Sequence, residues 1–256
     1  MKKVLGAVIS GVLFGGLMFL LGSYDVAAIG PEGTEVGFSR INQFVHDFTG
    51  VNMLWYEITD YIGYGAIAVC GLFAIAGFVQ MIKRRSLLKV DREIWALGFL
   101  FAAVIGCYVF FEKYVVNYRP VIMPGETLPE PSFPSSHTML VVTVMIAVMI
   151  VSDKYFGKGL GVLVRILCFV TAMVTVGGRL WCGVHWLTDI IGGVLLSATL
   201  LFLFSAFVSG RREESSKKSR KREPDPGLDF IYDDKSVERR RRTASKETVN
   251  GYRPKH

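Results

Sequence analysis

Apolar residues in this chain come in long blocks separated by short polar stretches. The blocks lie at about residues 4–21, 62–82, 94–111, 135–152, 160–176 and 187–208. Runs of roughly 17–25 apolar residues have the length of a helix that crosses a bilayer. A backbone inside lipid must satisfy its own hydrogen bonds, so each block is expected to be helical. The pattern predicts an all-α polytopic membrane protein with a six-transmembrane-helix bundle. The first block admits two readings. It follows Met1-Lys2-Lys3 and precedes Val26-Ala27-Ala28, as a cleaved signal peptide would. Its length and its Gly11-x-x-x-Gly15 spacing instead favour an uncleaved helix with close packing at those glycines.

Polar stretches set the topology. Ser23–Tyr61 contains Asp25, Glu32, Glu35, Asp47, Glu57 and Asp60 and reads as an external connection. Within it Phe38, Ile41, Phe44, Val45 and Phe48 repeat at helical spacing. They predict a short amphipathic helix on the outer surface, with His46 and Asp47 toward its solvated side. Lys83-Arg84-Arg85, Lys89 and Arg92 put the next connection in the cytoplasm. Arg165 is expected to snorkel from the inner end of the fifth helix. Six crossings from an inner N-terminus return the C-terminus inside. The connections 112–136 and 177–186 then share the outer face.

Composition agrees. The chain is 51% hydrophobic with mean hydropathy +0.40, too apolar for an ordinary soluble domain. Its net charge is +7, and residues 211–256 carry 15 Lys and Arg against 9 Asp and Glu, hence +6 of it. That excess speaks to membrane sidedness, and no nucleic-acid partner is expected. Residues 1–209 read as a membrane-embedded domain and 210–256 as a disordered basic cytoplasmic tail. Lys217–Arg222 and Arg239–Arg242 suit contact with anionic inner-leaflet lipid, and equally a solvated, topology-fixing role. Of four cysteines, Cys70, Cys107 and Cys168 fall in apolar blocks and Cys182 in a connection, with no metal or disulfide spacing.

The two outer connections hold complementary chemistry. One contains Lys113, Arg119-Pro120 and Pro134-Ser135-Ser136-His137, the other Arg179 and His185, with Asp189 just beyond it. Three cations suggest an anion, and arginine forks suit phosphate oxygens. Ser135 and Ser136 open a helix, where serines cap and free N–H groups bind phosphate. His185 and Asp189 stand at i and i+4, one above the other on a helical face. A carboxylate there can hold one imidazole nitrogen while the other attacks phosphorus. His137 is then the candidate general acid. No carboxylate cluster suits a divalent metal, and no cofactor is expected.

These residues resemble the type 2 phosphatidic acid phosphatase superfamily, the lipid phosphate phosphatases. Its signatures are K-x6-R-P, P-S-G-H and S-R-x5-H-x3-D. Here the third reads Gly178-Arg179, five residues, His185, three residues, Asp189, with glycine for the leading serine. The second reads Pro134-Ser135-Ser136-His137, with Ser136 for glycine. The first reads Lys113, five residues, Arg119-Pro120, one residue short. The resemblance covers about residues 60–208 and includes the order of signatures and helices. It implies metal-independent hydrolysis through a phosphohistidine. His185 would be the nucleophile, Asp189 its orienting carboxylate and His137 the acid. Lys113, Arg119, Ser135, Ser136 and Arg179 would bind phosphate. The soluble vanadium haloperoxidases share this site but lack such membrane blocks.

The expected activity is removal of phosphate from a membrane lipid phosphate or pyrophosphate at the outer face of the cytoplasmic membrane. Undecaprenyl pyrophosphate is the first expectation, with phosphatidylglycerophosphate or phosphatidate as alternatives. A lipid phosphotransferase would use the same residues. A non-hydrolytic lipid-binding or transport bundle would need the cations but not the His137, His185 and Asp189 set.

Overall fold

A computed structural model of the chain describes residues 1–220 and 237–242. The described residues form six helices: α1 (Lys2–Leu21), α2 (Ser39–Thr49), α3 (Met53–Arg84), α4 (Arg92–Lys113), α5 (Ser136–Trp181) and α6 (Leu187–Arg220). No β-strand occurs among them. Residues 1–208 make one compact unit, and 209–256 are a second. In the second unit α6 continues to Arg220, eleven residues into the stretch expected to be disordered. A helical segment at 237–242 carries an Arg242–Glu238 ion pair of 3.1 Å. Most of the tail expectation, including Arg222, lies outside the described residues.

Five helices are long and apolar enough to cross a membrane: α1, α3, α4, α5 and the part of α6 from Leu187 to Ser209. Six were expected, and the difference is α5. At 46 residues it would be about 69 Å long if straight, far more than a bilayer needs. It is not straight. Gly157 has φ +72° and ψ 171°, a conformation that side-chain-bearing residues rarely adopt. Beyond it the chain folds back. A Cβ on Gly161 would stand 2.9 Å from Asp153 Oδ1 and 3.6 Å from its Cα. Arg165 pairs with Asp153 and reaches Ser152 Oγ at 3.3 Å. In an unbroken helix residues 153 and 161 would be about 12 Å apart. The two predicted helices 135–152 and 160–176 are thus the arms of a hairpin. Arg165 is ion-paired rather than merely snorkelling.

Small residues set how α1 meets α6. Lys3 Nζ donates to Ser205 O at 3.3 Å, the Phe202 ring fills the space beside Gly6, and Thr199 Oγ1 donates to Ser10 Oγ at 3.0 Å. These contacts run in opposite directions along the two helices, so they are antiparallel. The close approach is at Gly6, Ser10 and Gly11, where a Cβ would lie 3.6 Å from Thr199 Cγ2; Gly15, also expected to take part, has nothing within 4 Å of a would-be Cβ. Outward faces are apolar, with Val12, Leu72, Phe99 and Ile166 exposed as in a lipid-facing surface.

At the end of the bundle bearing the α5 hairpin turn, charges form a network. Arg84 meets Asp91 at 2.8 Å, Lys154 lies 3.4 Å from Asp91 and also pairs with Glu93, and Gln80 Nε2 donates to Asp91 at 3.1 Å. These contacts tie the α3–α4 connection to the turn.

α2 is helical and amphipathic as expected, but its polar side is packed on protein and not solvated. Ile41, Phe44 and Phe48 are exposed, while Ser39 and Asn42 are buried against the protein. His46, expected to be solvated, lies 5.5 Å from the Trp186 ring, and its Nδ1 is buried. The apolar face thus points outward, as it would in lipid, and the polar face docks on the connection between α5 and α6.

Candidate active site

The end of the bundle opposite the hairpin turn gathers most of the predicted residues. Arg179 falls in the last turn of α5, not in a connection as predicted, because helix persists to Trp181. Gly178 beside it admits α3: a Cβ there would lie 2.6 Å from Thr59 Cγ2. The family's serine position is thus occupied by a close helix contact. Arg179 is fully buried. Its Nη1 donates to Thr59 Oγ1 at 3.3 Å, and its guanidinium lies 4.9 Å over the Tyr56 ring. Its Nη2 stands 3.1 Å from His185 Nε2. A guanidinium has no lone pair to offer, so His185 Nε2 is the acceptor and its proton is on Nδ1. That nitrogen faces Asp189 Oδ2 at 3.6 Å, in ion-pair range and longer than a hydrogen bond. Catalytic contacts of this kind often tighten only when substrate binds.

Asp189 is held from several sides. It is the third residue of α6, and its Oδ2 accepts the Trp186 N–H at 2.9 Å, the carboxylate half of a capping box. Its Oδ1 accepts from Asn117 Nδ2 at 3.3 Å. Its carbonyl accepts the Ser135 N–H at 3.0 Å, joining the starts of α5 and α6. Asn42 of α2 adds a further cap, its Oδ1 accepting the Thr188 N–H at 3.2 Å.

Electrostatics favour a neutral His185. Burial, then the Arg179 and Arg119 cations, hold its pKa well below the ordinary 6.5. A neutral imidazole keeps a lone pair on Nε2, which the Arg179 N–H occupies in the structure.

His137 occupies the first turn of α5 and shares a cavity of about 550 Å³ with His185, Arg119 and Ser136. Its Nε2 lies 2.7 Å from Asp60 Oδ1. Arg119 pairs with Glu130 at 3.0 Å, and its Nη1 is buried without a protein partner. Ser135 is fully buried and caps α5, its Oγ 3.5 Å from the Thr138 N–H. Lys113 is the last residue of α4, exposed and not among the cavity's lining residues. The structure therefore joins His137, His185, Asp189, Arg119, Arg179 and Ser136, keeps Ser135 as a cap, and leaves Lys113 outside the cavity lining.

Three site residues carry no sequence signal of their role. Asp60 lies in a stretch that reads as a polar connection, but α3 begins at Met53, capped by Asn52, and carries it to the cavity. The buried set Thr59, Gly63 and Ala66, at i, i+4 and i+7, is the signal that marks this face. Asn117 and Asn42 are single amides in polar stretches, and no spacing distinguishes them.

The profile of the PAP2 superfamily matches residues 92–213, the stretch containing all three signatures. Over that stretch, just under half of the chain, it is similar to the PAP2 superfamily. Over 114 residues it is 31% identical to an undecaprenyl-diphosphatase of Sulfolobus acidocaldarius, covering 42% of this chain and 50% of that one. Over 122 residues it is 31% identical to phosphatidylglycerophosphatase B of Bacillus subtilis, covering 45% and 60%. The match thus spans half to three fifths of these relatives. The fold is that of a crystal structure of a transmembrane PAP2-type phosphatidylglycerolphosphate phosphatase from Bacillus subtilis. The TM-score is 0.57 at 21% identity, over 82% of this chain and 98% of that one. The chain is accordingly a membrane protein of mostly helical architecture.

Proposed function

We propose that the protein removes phosphate from a lipid phosphate or pyrophosphate through a phosphohistidine on His185. The observation that carries this reading is the line Arg179–His185–Asp189. It fixes a neutral imidazole with its lone pair in a cationic, buried place beside a second histidine. As the incoming phosphate takes over the Arg179 N–H, His185 Nε2 attacks the terminal phosphorus, forming the N–P bond as the P–O bond to the leaving lipid alcohol or lipid phosphate breaks. His137 gives its proton to the leaving oxygen. Arg119, Arg179 and the free N–H groups at the start of α5 neutralise the equatorial oxygens. Water then attacks phosphorus, His137 takes its proton, and inorganic phosphate leaves His185 neutral. These steps need no metal, and among the described residues no cluster of three His, Cys, Asp or Glu side chains suits one.

The cavity's other end supports a lipid substrate. It descends between α3 and α4 past Ile67, Cys70, Phe101 and Val104. A second apolar cavity of about 310 Å³ shares Cys70 and Phe101 with it and continues to Met81. From Asp60 to Met81 along α3 is about 32 Å, close to a bilayer's hydrocarbon thickness. Two apolar cavities in line along α3 suit a single polyprenyl chain, which favours undecaprenyl pyrophosphate. Phosphatidylglycerophosphate is the second reading, supported by the equally similar Bacillus relative. We place the site at the outer face of the cytoplasmic membrane, with six crossings and both termini inside. The α5 hairpin supports the crossing number, and the basic α3–α4 connection supports the orientation.

The test is phosphate release by the purified protein in detergent with EDTA. Undecaprenyl pyrophosphate, phosphatidylglycerophosphate and phosphatidate are offered side by side. Release that survives EDTA and is greatest with the polyprenyl substrate is expected. Release from none of them would refute a hydrolase.

A further inference from the structure

Proton donation by His137 requires the ring to be aimed as well as charged, and nothing in the three signatures aims it. The structure supplies a partner from outside them. Asp60 Oδ1 meets His137 Nε2 at 2.7 Å, a charge-assisted distance, across the contact between α3 and α5. Gly63, nearly one turn further along α3, leaves the room the ring occupies: a Cβ there would lie 2.8 Å from Cδ2 and 3.2 Å from Nε2. His137 Nδ1 is buried and has no partner, and Asp60 and His137 both line the cavity. The other charges acting on this ring, Arg179 and Arg119, are cations. Asp60 is the anion in direct contact with the ring.

We infer that Asp60 is a positioning residue that holds His137 by Nε2–H and so turns Nδ1–H toward the leaving oxygen. This rests on the phosphohistidine reading. In the first step the Nδ1 proton passes to the oxygen released as the P–O bond breaks, and His137 stays neutral with Nε2–H on Asp60. In the second, Nδ1 takes a proton from the attacking water as the new P–O bond forms and the N–P bond to His185 breaks. Asp60 remains a carboxylate throughout. It does for His137 what Asp189 does for His185.

A leaving-group comparison tests this in the purified full-length protein. Phosphatidate expels an alkoxide and needs a proton donor. p-Nitrophenyl phosphate expels a stabilised phenolate and needs little help. Asp60→Asn should lower kcat on phosphatidate by about 10²-fold, the low end of a general acid's worth. On p-nitrophenyl phosphate it should lower kcat only a few-fold, with KM little changed on both. Asp60→Glu, which keeps the charge one methylene away, should show the same selectivity at smaller size. It also serves if the Asn variant does not fold. Equal losses on both substrates, or no loss, would overturn the inference while leaving the phosphatase reading intact. Wild-type protein inert toward both esters and toward the lipid pyrophosphate would overturn both.

Discussion

Adding one methyl group, Gly63→Ala, should disarm the acid without unfolding the protein. The new Cβ would lie 2.8 Å from His137 Cδ2, against about 3.5–4.0 Å for comfortable carbon contact. The ring must retreat by roughly 0.7 Å or more, and its 2.7 Å contact with Asp60 opens. Misplacement of a catalytic group by about 1 Å can cost 10²-fold. We expect kcat to fall by about 10- to 100-fold, a barrier increase of about 1.4–2.7 kcal/mol. Stability should change less. Crowding costs about 1–3 kcal/mol, and replacing a mid-helix glycine by alanine returns about 1 kcal/mol. The assay is steady-state phosphate release beside thermal unfolding in the same detergent. A folded variant with kcat within twofold of wild type would refute the packing of His137 on Gly63 and the precision claimed for it.

Other expectations follow from the same geometry. Glu130→Gln frees Arg119 from its 3.0 Å ion pair, so inhibition by inorganic phosphate should tighten a few-fold with kcat little changed; unchanged inhibition would mean that Arg119 does not meet phosphate. Asn42→Ala removes the cap that α2 places on α6 and should cost about 1–2 kcal/mol, read as a drop of several degrees in Tm. His185 has its pKa lowered in the fold while the unfolded chain keeps about 6.5. Its contribution to stability is therefore complete above pH 6.5 and is lost as pH falls toward the folded value. Tm should decline on that side of pH 6.5, and His185→Asn should decline less steeply. The acid limb of kcat/KM should also lie below 6.5, since the nucleophile stays unprotonated there.

Much of this was legible in the sequence, for physical reasons. A bilayer imposes block length, so the helical blocks stood out, and charge in an apolar frame marked Arg179, His137, His185 and Asp189. What could not be read depended on three-dimensional encounter. Asp60 looks like any acid in a polar connection until α3 is seen to start at Met53. α2 has the expected period, but period does not say which face is buried; Asn42 and His46 turn inward because Thr188 and Trp186 offer partners there. Of the Gly11 and Gly15 pair only Gly11 meets α6, at Thr199, and the tightest approach is at Gly6 against Phe202. The helix that holds Arg179 runs past the apolar block, and Thr59 and Tyr56 of α3 receive its guanidinium there.

The central claim is a covalent phosphate on His185, and trapping it is the most direct test. A substrate radiolabelled at the terminal phosphate is mixed with the purified protein in EDTA and quenched in alkali within a turnover. Alkali-stable, acid-labile label on the peptide containing His185, lost in His185→Ala and accumulating in His137→Ala with an activated leaving group, is the predicted result. Phosphate release without label on that peptide, or release that persists in His185→Ala, would contradict the account.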